Sequence, residues 1–250
     1  MQITAIKTPI VKLNDDLFEI VKSSVKFIPE ESVFIVTSKI ISYCQGRVVA
    51  KTTEDKSEKH NLIRSEADLY LEPHSSKYNL MLTVKNHTLA VNAGIDESNV
   101  ANGGYILWPE NLQETANEIW RFLREHYKVK KVGVLITDSK SFPLRWGVIG
   151  TFIAHCGFKS LHNFIGEKDL FDREIQMVQV NVAEAVATAA VLEMGEVAEQ
   201  TPLALVEEIK LIEFQDREPT EKELEDAVIE PEDDVYAPVL MNAKWKKGRK

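Results

Sequence analysis

Short apolar runs that stop abruptly at polar residues constrain this chain most. Val33-Phe34-Ile35-Val36 ends at Thr37-Ser38-Lys39, and residues 131–136 end at Thr137-Asp138-Ser139. Runs this short suit strands better than buried helices, which need about ten residues or more. Residues 3–7, stopped by Pro9, read as a first strand, and Arg47-Val48-Val49-Ala50 as another entered through Gly46. Residues 80–84 and 88–91 read as a hairpin around Lys85-Asn86-His87.

Helical spacing lies between these runs. Leu17, Ile20, Val21 and Val25 share one face behind a cap at Asp15 or Asp16, and Leu112, Ala116, Ile119 and Leu123 repeat the pattern. The charged stretch 51–61 opens a helix expected to reach Tyr70. Residues 183–194 form an Ala-rich helix closed by Gly195, and one or two strands are expected in 203–214. Residues 218–234 read as a surface helix and loop. Strands and helices mix without a strict βαβ rhythm, which predicts an α+β fold with irregular α/β packing. We expect a single domain over 1–250, with an acidic and basic extension from about 215. A middle segment is set off from a body built of both chain ends.

Charge excludes some functions. A net charge of −9 leaves no basic face for nucleic acid. The basic tail 244–250 reads as a solvated, frayed end. Cys44 and Cys156 sit in apolar surroundings and read as buried free thiols. With no signal-peptide pattern and no run of 18 apolar residues, the expected compartment is the cytoplasm.

Familiar signatures are absent: no P-loop, no dinucleotide-binding glycine fingerprint, no zinc spacing. Any one of the six histidines reads as a surface or core residue. Three polar places remain: 92–100 after a strand, Thr137-Asp138-Ser139 after another, and Met194-Gly195-Glu196 at a helix end. Carboxylates and hydroxyls there are hard oxygen donors, suited to Mg²⁺ or Mn²⁺ holding substrate phosphates. Singly, each such stretch is an ordinary turn.

Together they resemble the coenzyme F420:gamma-glutamyl ligase family. The blocks that carry the resemblance run in order: Lys7-Thr8-Pro9-Ile10-Val11, 36–42 with 46–49, Asn92-Ala93-Gly94-Ile95-Asp96-Glu97-Ser98-Asn99-Val100, 136–139, Arg145-Trp146-Gly147-Val148, 166–170 with 173–174, and 194–196. They span roughly residues 1–210.

The resemblance implies a mixed-sheet ligase fold, an intertwined homodimer, and addition of L-glutamate to a small carboxylate acceptor. The implied co-substrate is GTP, or ATP, with two Mn²⁺ or Mg²⁺ ions. Carried over by position, Asp96, Asp138, Ser139 and Glu196 would be metal ligands. Thr8, Pro9, Ile10, Val11, Ser38, Lys39, Asn99, Gly195 and Glu196 would meet the nucleotide. Asp96, Asp138 and Arg145 would act in catalysis; for Lys39 and Arg145 ordinary ion pairing is the competing account.

Tyr43 stands where many relatives carry lysine. Residues 139–147 and 66–71 are similar to a branch predicted to act in folate metabolism, so the acceptor is an F420 precursor or a folate-like molecule. A non-catalytic nucleotide- or pterin-binding protein, or a kinase on the same scaffold, are the alternative functions.

Overall fold

Most of the apolar runs become strands of a mixed sheet, and most of the periodic stretches become the helices that cover it. The computed structural model describes residues 1–100 and 103–249. Within the 92–104 segment, Ala101 and Asn102 lie outside the described residues, as does Lys250 in the tail. In chain order the elements are β1 (Gln2–Ile6), α1 (Leu17–Ser24), β2 (Ser32–Thr37), α2 (Ser38–Cys44), β3 (Val48–Val49), α3 (Lys56–Glu66), β4 (Leu69–Tyr70), β5 (Leu82–Lys85), β6 (Thr88–Val91), β7 (Tyr105–Ile106), α4 (Leu112–Tyr127), β8 (Val132–Ser141), β9 (Val148–Cys156), β10 (Leu161–Asn163), β11 (Gln179–Asn181), α5 (Val182–Met194), β12 (Leu203–Glu207), α6 (Glu221–Glu225), α7 (Ala237–Leu240) and β13 (Lys246–Lys247).

The main sheet runs β1-β12-β2-β8-β9, with β2 and β8 parallel and the other pairs antiparallel. Two cores follow, one on each face. Phe34, Val36, Val134 and Ile136 meet Ile119, Trp120 and Leu123 of α4 on one side. Val33, Ile35 and Leu135 meet Val182, Val186 and Met194 of α5 on the other. That alternation along β2 is the period-two rule of strands, with both faces buried. Each fully buried aliphatic chain contributes roughly 1.5–3 kcal/mol, so α5 is held by its packing face. Gly150 lets α5 approach β9: a Cβ there would lie 2.6 Å from the Ala187 carbonyl oxygen. A second sheet, β13-β4-β5-β6, and the pair β3-β7 come from other parts of the chain.

Several expectations change. Asp16 is the cap of α1, accepting from the amides of Phe18 and Glu19. β2 ends at Thr37 as expected, and α2 starts directly after it at Ser38. β8 does not stop at Ile136; its polar residues keep pairing with β9 as far as Ser141↔Val148. α3 ends at Glu66, and Leu69–Tyr70 is a strand that pairs with both β5 and β13. Residues 203–214 give one strand, β12, and 218–234 hold only the five-residue α6, with a capping box at Thr220.

The tail is the largest correction. β13 pairs with β4 through Lys246↔Tyr70 and Lys247↔Leu69. Lys246 lies 2.7 Å from Glu72, and Arg249 lies 3.2 Å from Asp68. The side chains of Lys246 and Arg64 hold the Glu72 carboxyl down at about 2. Opposite charge gathered on a strand edge is what ends the fraying. Cys44 and Cys156 are both free, and burial pushes their thiols up to about 11 and about 12. No helix among the described residues is long and apolar enough to cross a membrane.

Candidate active site

β8 carries Asp138 and Ser139 out of the buried part of the sheet. A register shift opposite Ile136 and Thr137 leaves Ile153 of β9 unpaired just before they emerge. Such a bulge re-aims the side chains beyond it. β6 runs directly into a tight turn at Asn92–Gly94, with Asn92 and Ala93 at φ of 55° and 54°. Asp96 follows, locked to Ile106 by two backbone hydrogen bonds of 3.0 and 2.8 Å.

Asp96 organises the next turn. One carboxylate oxygen accepts from the amides of Glu97 and Ser98 at 2.7 and 2.9 Å. The other accepts from the Ser98 hydroxyl at 2.6 Å and pairs with the Lys39 ammonium at 2.5 Å. Lys39 also donates to Ser98 Oγ at 2.9 Å. Burial alone would raise the Asp96 carboxyl, but Lys39 and Ser98 outweigh it and hold the group at about 2.

Asp138 is in the opposite condition. It is only partly exposed. Burial pushes its carboxyl up to about 6, against the hydrogen bonds from the Ser139 amide and the Trp108 indole. The negative charge of Asp96 adds to the rise, so the two carboxylates feel each other directly. Beside it, the Ser139 hydroxyl reaches Glu196 Oε1 and Oε2 at 2.8 and 2.7 Å.

Four segments therefore meet here: α2, the 96–99 turn, β8 and the loop after α5. Asn99 Nδ2 donates to the Val197 carbonyl at 2.8 Å, tying the turn to that loop. Gly195, at φ 83°, closes α5 and leads directly to Glu196. Ser38 is buried as the first residue of α2. Buried Thr8 reaches the same loop through Gln200, which donates to its carbonyl at 2.7 Å. Pro9 and Ile10 face solvent, and Val11 packs on the core. Arg145 does not join the cluster. It sits in the exposed β8–β9 turn, where its guanidinium donates to the Leu144 carbonyl at 3.0 Å.

Tyr43 is buried, and its hydroxyl donates to the Asn99 carbonyl at 3.1 Å, bracing the turn from beneath. Two participants carry no sequence signal, and a third lies within 92–100 without standing out there. Trp108 reads as a core residue before a proline, yet its indole N–H donates to Asp138 Oδ2. Lys140 reads as a surface lysine but pairs with Glu184 at the start of α5, and burial lowers its pKa. Ser98 reads as a turn residue and carries both Asp96 and Lys39. Gly94, Trp108, Asp138, Ser139, Lys140 and Thr151 border a cavity of about 190 Å³.

The donor chemistry suits a hard cation in part. Two carboxylates repel across the site, with Lys39 as the ammonium that offsets them. Among the described residues, however, no group of three or more His, Cys, Asp or Glu is arranged to hold a metal. An octahedral ion held here would need waters and oxygens of a bound phosphate to complete its shell, as is usual for Mg²⁺.

Comparison with known proteins places this chain in a class. The family model for F420-0:Gamma-glutamyl ligase matches residues 5–208. The coenzyme F420:L-glutamate ligase of Archaeoglobus fulgidus is 33% identical over 209 residues, covering 79% of this chain and 83% of the relative. The enzyme of the same name from Methanopyrus kandleri is 31% identical over 214 residues, covering 80% and 83%. That from Methanocaldococcus jannaschii is 34% identical over 176 residues, covering 70% and 69%. The class is that of amide-bond-forming ligases. Within it, this chain belongs to the F420-0:gamma-glutamyl ligase family.

Proposed function

We propose that this chain is a nucleotide- and divalent-metal-dependent gamma-glutamyl ligase that adds L-glutamate to a carboxylate of a coenzyme F420 precursor. The convergence of Lys39, Asp96, Asp138, Ser139 and Glu196 from four separate segments is the observation that carries this reading. The named relatives support the acceptor. A folate-like carboxylate is the second acceptor class, on the strength of residues 139–147 and 66–71.

Amide formation from a free carboxylate is uphill in water, so the acceptor must be activated first. Its carboxylate attacks the terminal phosphate of GTP or ATP, the nucleoside diphosphate leaves, and an acyl phosphate forms. The glutamate amine then attacks the acyl carbon, loses a proton and releases phosphate. Asp96, Asp138, Ser139 and Glu196 would hold the Mg²⁺ or Mn²⁺ ions. When bound, these supply neutralisation of phosphate charge and hold attacking and leaving oxygens in line. Lys39 brings an ammonium beside the same oxygens, where negative charge builds. The cavity is smaller than the roughly 300–1,000 Å³ of whole-ligand pockets. It would take a reacting group, with the nucleoside outside it along Thr8, Ser38 and Asn99.

A homodimer belongs to this reading. Leu144 and Trp146 at the β8–β9 turn, with Leu170 and Phe171 in the β10–β11 arm, are 96%, 91%, 98% and 77% exposed. Apolar side chains on two projecting arms are what a partner subunit would cover. The non-catalytic alternative rests on Tyr43, which stands where many relatives carry lysine and braces the Asn99 turn instead.

The test is phosphate release from GTP and ATP with Mn²⁺ or Mg²⁺, glutamate and each acceptor, with mass spectrometry of the product. Release that needs glutamate and one acceptor, with a glutamate-sized mass gain, is expected. Tight metal–nucleotide binding without release from any mixture overturns it.

A further inference from the structure

We propose that Trp108 is a positioning residue that sets the separation and aim of the two site carboxylates. This rests on the metal-dependent reading above. Asp96 and Asp138 come from distant parts of the chain, yet one short segment touches both. Asp96 is bridged to Ile106 through both backbone hydrogen bonds. Two residues on, the Trp108 indole N–H donates to Asp138 Oδ2. The 106–108 segment thus acts as a spacer, with one carboxylate fixed at each end.

The spacer is itself held. Arg47 Nε donates to the Trp108 carbonyl at 3.2 Å, and Leu107 N donates to the Arg47 carbonyl at 3.0 Å. The Ser42 hydroxyl donates to the Leu107 carbonyl at 2.6 Å. Beside the ring lies Lys85, 3% exposed, with its ammonium 5.7 Å from the indole centroid. Glu66 binds that ammonium at 2.6 Å and Arg47 Nη2 at 2.8 Å, so one carboxylate joins the two cations that border Trp108. Gly94 completes the cradle: a Cβ there would lie 2.0 Å from Trp108 Nε1.

The chemistry fits a positioning role. An indole N–H is a donor only, and a buried one must find an acceptor. Here it takes up Asp138 Oδ2 and fixes the carboxylate plane, leaving lone pairs free for a ligand. Partners that orient a metal-binding carboxylate are typically worth 10–100-fold in metal affinity. Phenylalanine at 108 would keep an aromatic face beside the ammonium but drop the N–H.

Two measurements on the full-length protein test this. The first is Mn²⁺ affinity with GTP, read by electron paramagnetic resonance, for wild type and Trp108→Phe. About tenfold weaker binding with an unchanged circular dichroism spectrum is expected. The second needs no variant. In the wild-type ¹⁵N-indole spectrum, Mg²⁺ with GTP should move the Trp108 N–H signal. Trp120 and Trp245, whose N–H groups donate to backbone carbonyls at 2.9 and 2.7 Å, should stay in place. Wild type that takes up no Mn²⁺ overturns the metal-dependent reading itself. Wild type that binds Mn²⁺ while the Trp108 signal stays still, or while Trp108→Phe binds equally well, overturns the positioning role alone.

Discussion

Asp96 and Asp138 are the same residue type at neighbouring places, yet their surroundings pull them apart. Asp96 sits in a turn that supplies two amides, a hydroxyl and an ammonium, and its carboxyl is held at about 2. Asp138 sits on the main sheet with two N–H donors and no cation touching it, and burial pushes it up to about 6. The turn is satisfied as it stands, whereas the sheet side carries at neutral pH a charge that Lys39 offsets only from a distance. A site divided this way has one preformed half and one half whose charge favours a cationic ligand.

The sharpest way to break the comparison is Asp138→Asn. Turnover should fall about 10³-fold, on the scale of losing a principal charge-stabilising group. Stability should move the other way. Because the folded pKa of Asp138 is raised, its stabilising contribution is full below about 4, near its unfolded value, and is lost as pH climbs through about 6. The substitution should therefore raise ligand-free stability at pH 8 by about 2 kcal/mol, its partial exposure tempering the full effect. Thermal and urea unfolding check this, and a drop in stability would contradict the account of Asp138.

Asp96→Asn should lower turnover about 10²-fold while costing about 1 kcal/mol of stability, since it removes a carboxylate from a half-exposed but well-made ion pair. Opposite stability signs for the two Asp→Asn changes are the signature sought; equal signs would erase the contrast between the two sides. Metal affinity supplies a third check. Protonating Asp138 competes with a cation, so Mn²⁺ binding with nucleotide should weaken about tenfold between pH 7 and pH 5. A flat profile there would remove Asp138 from the ligand set. The smallest effect is expected at Arg145→Ala, where calorimetry should find metal–nucleotide affinity changed less than about twofold, as for exposed residues generally. A large loss would bring the β8–β9 turn into the nucleotide site.

Much of this was legible because its causes are local. Asp16 caps α1 by accepting from the amides of Phe18 and Glu19 just beyond it, and Leu112, Ala116, Ile119 and Leu123 repeat at helical spacing in α4. The two strands of the β5–β6 hairpin flank Asn86 and His87, both at positive φ. What escaped has distant causes. α2 is only seven residues with no side-chain cap, and it is held by packing. β8 stays a strand through Thr137-Asp138-Ser139-Lys140 because β9 pairs with it, which hydrophobicity cannot signal. Lys39, Asp96, Asp138 and Glu196 could be singled out as chemically capable. Trp108 could not, since nothing local distinguishes a core indole from one whose N–H meets a carboxylate.

The pairing of β13 with β4 has a consequence in time. Glu72 and Lys246, which clasp across that edge, are 174 residues apart. At roughly 5–20 residues per second, a ribosome delivers the second partner some 10–35 s after the first. Through that interval the outer edge of β4 is bare, and a bare edge invites other chains. The half of the protein that bears Asp96 is therefore translated early and finished late. Its yield in a living cell should depend on how well nascent chains are shielded while they wait.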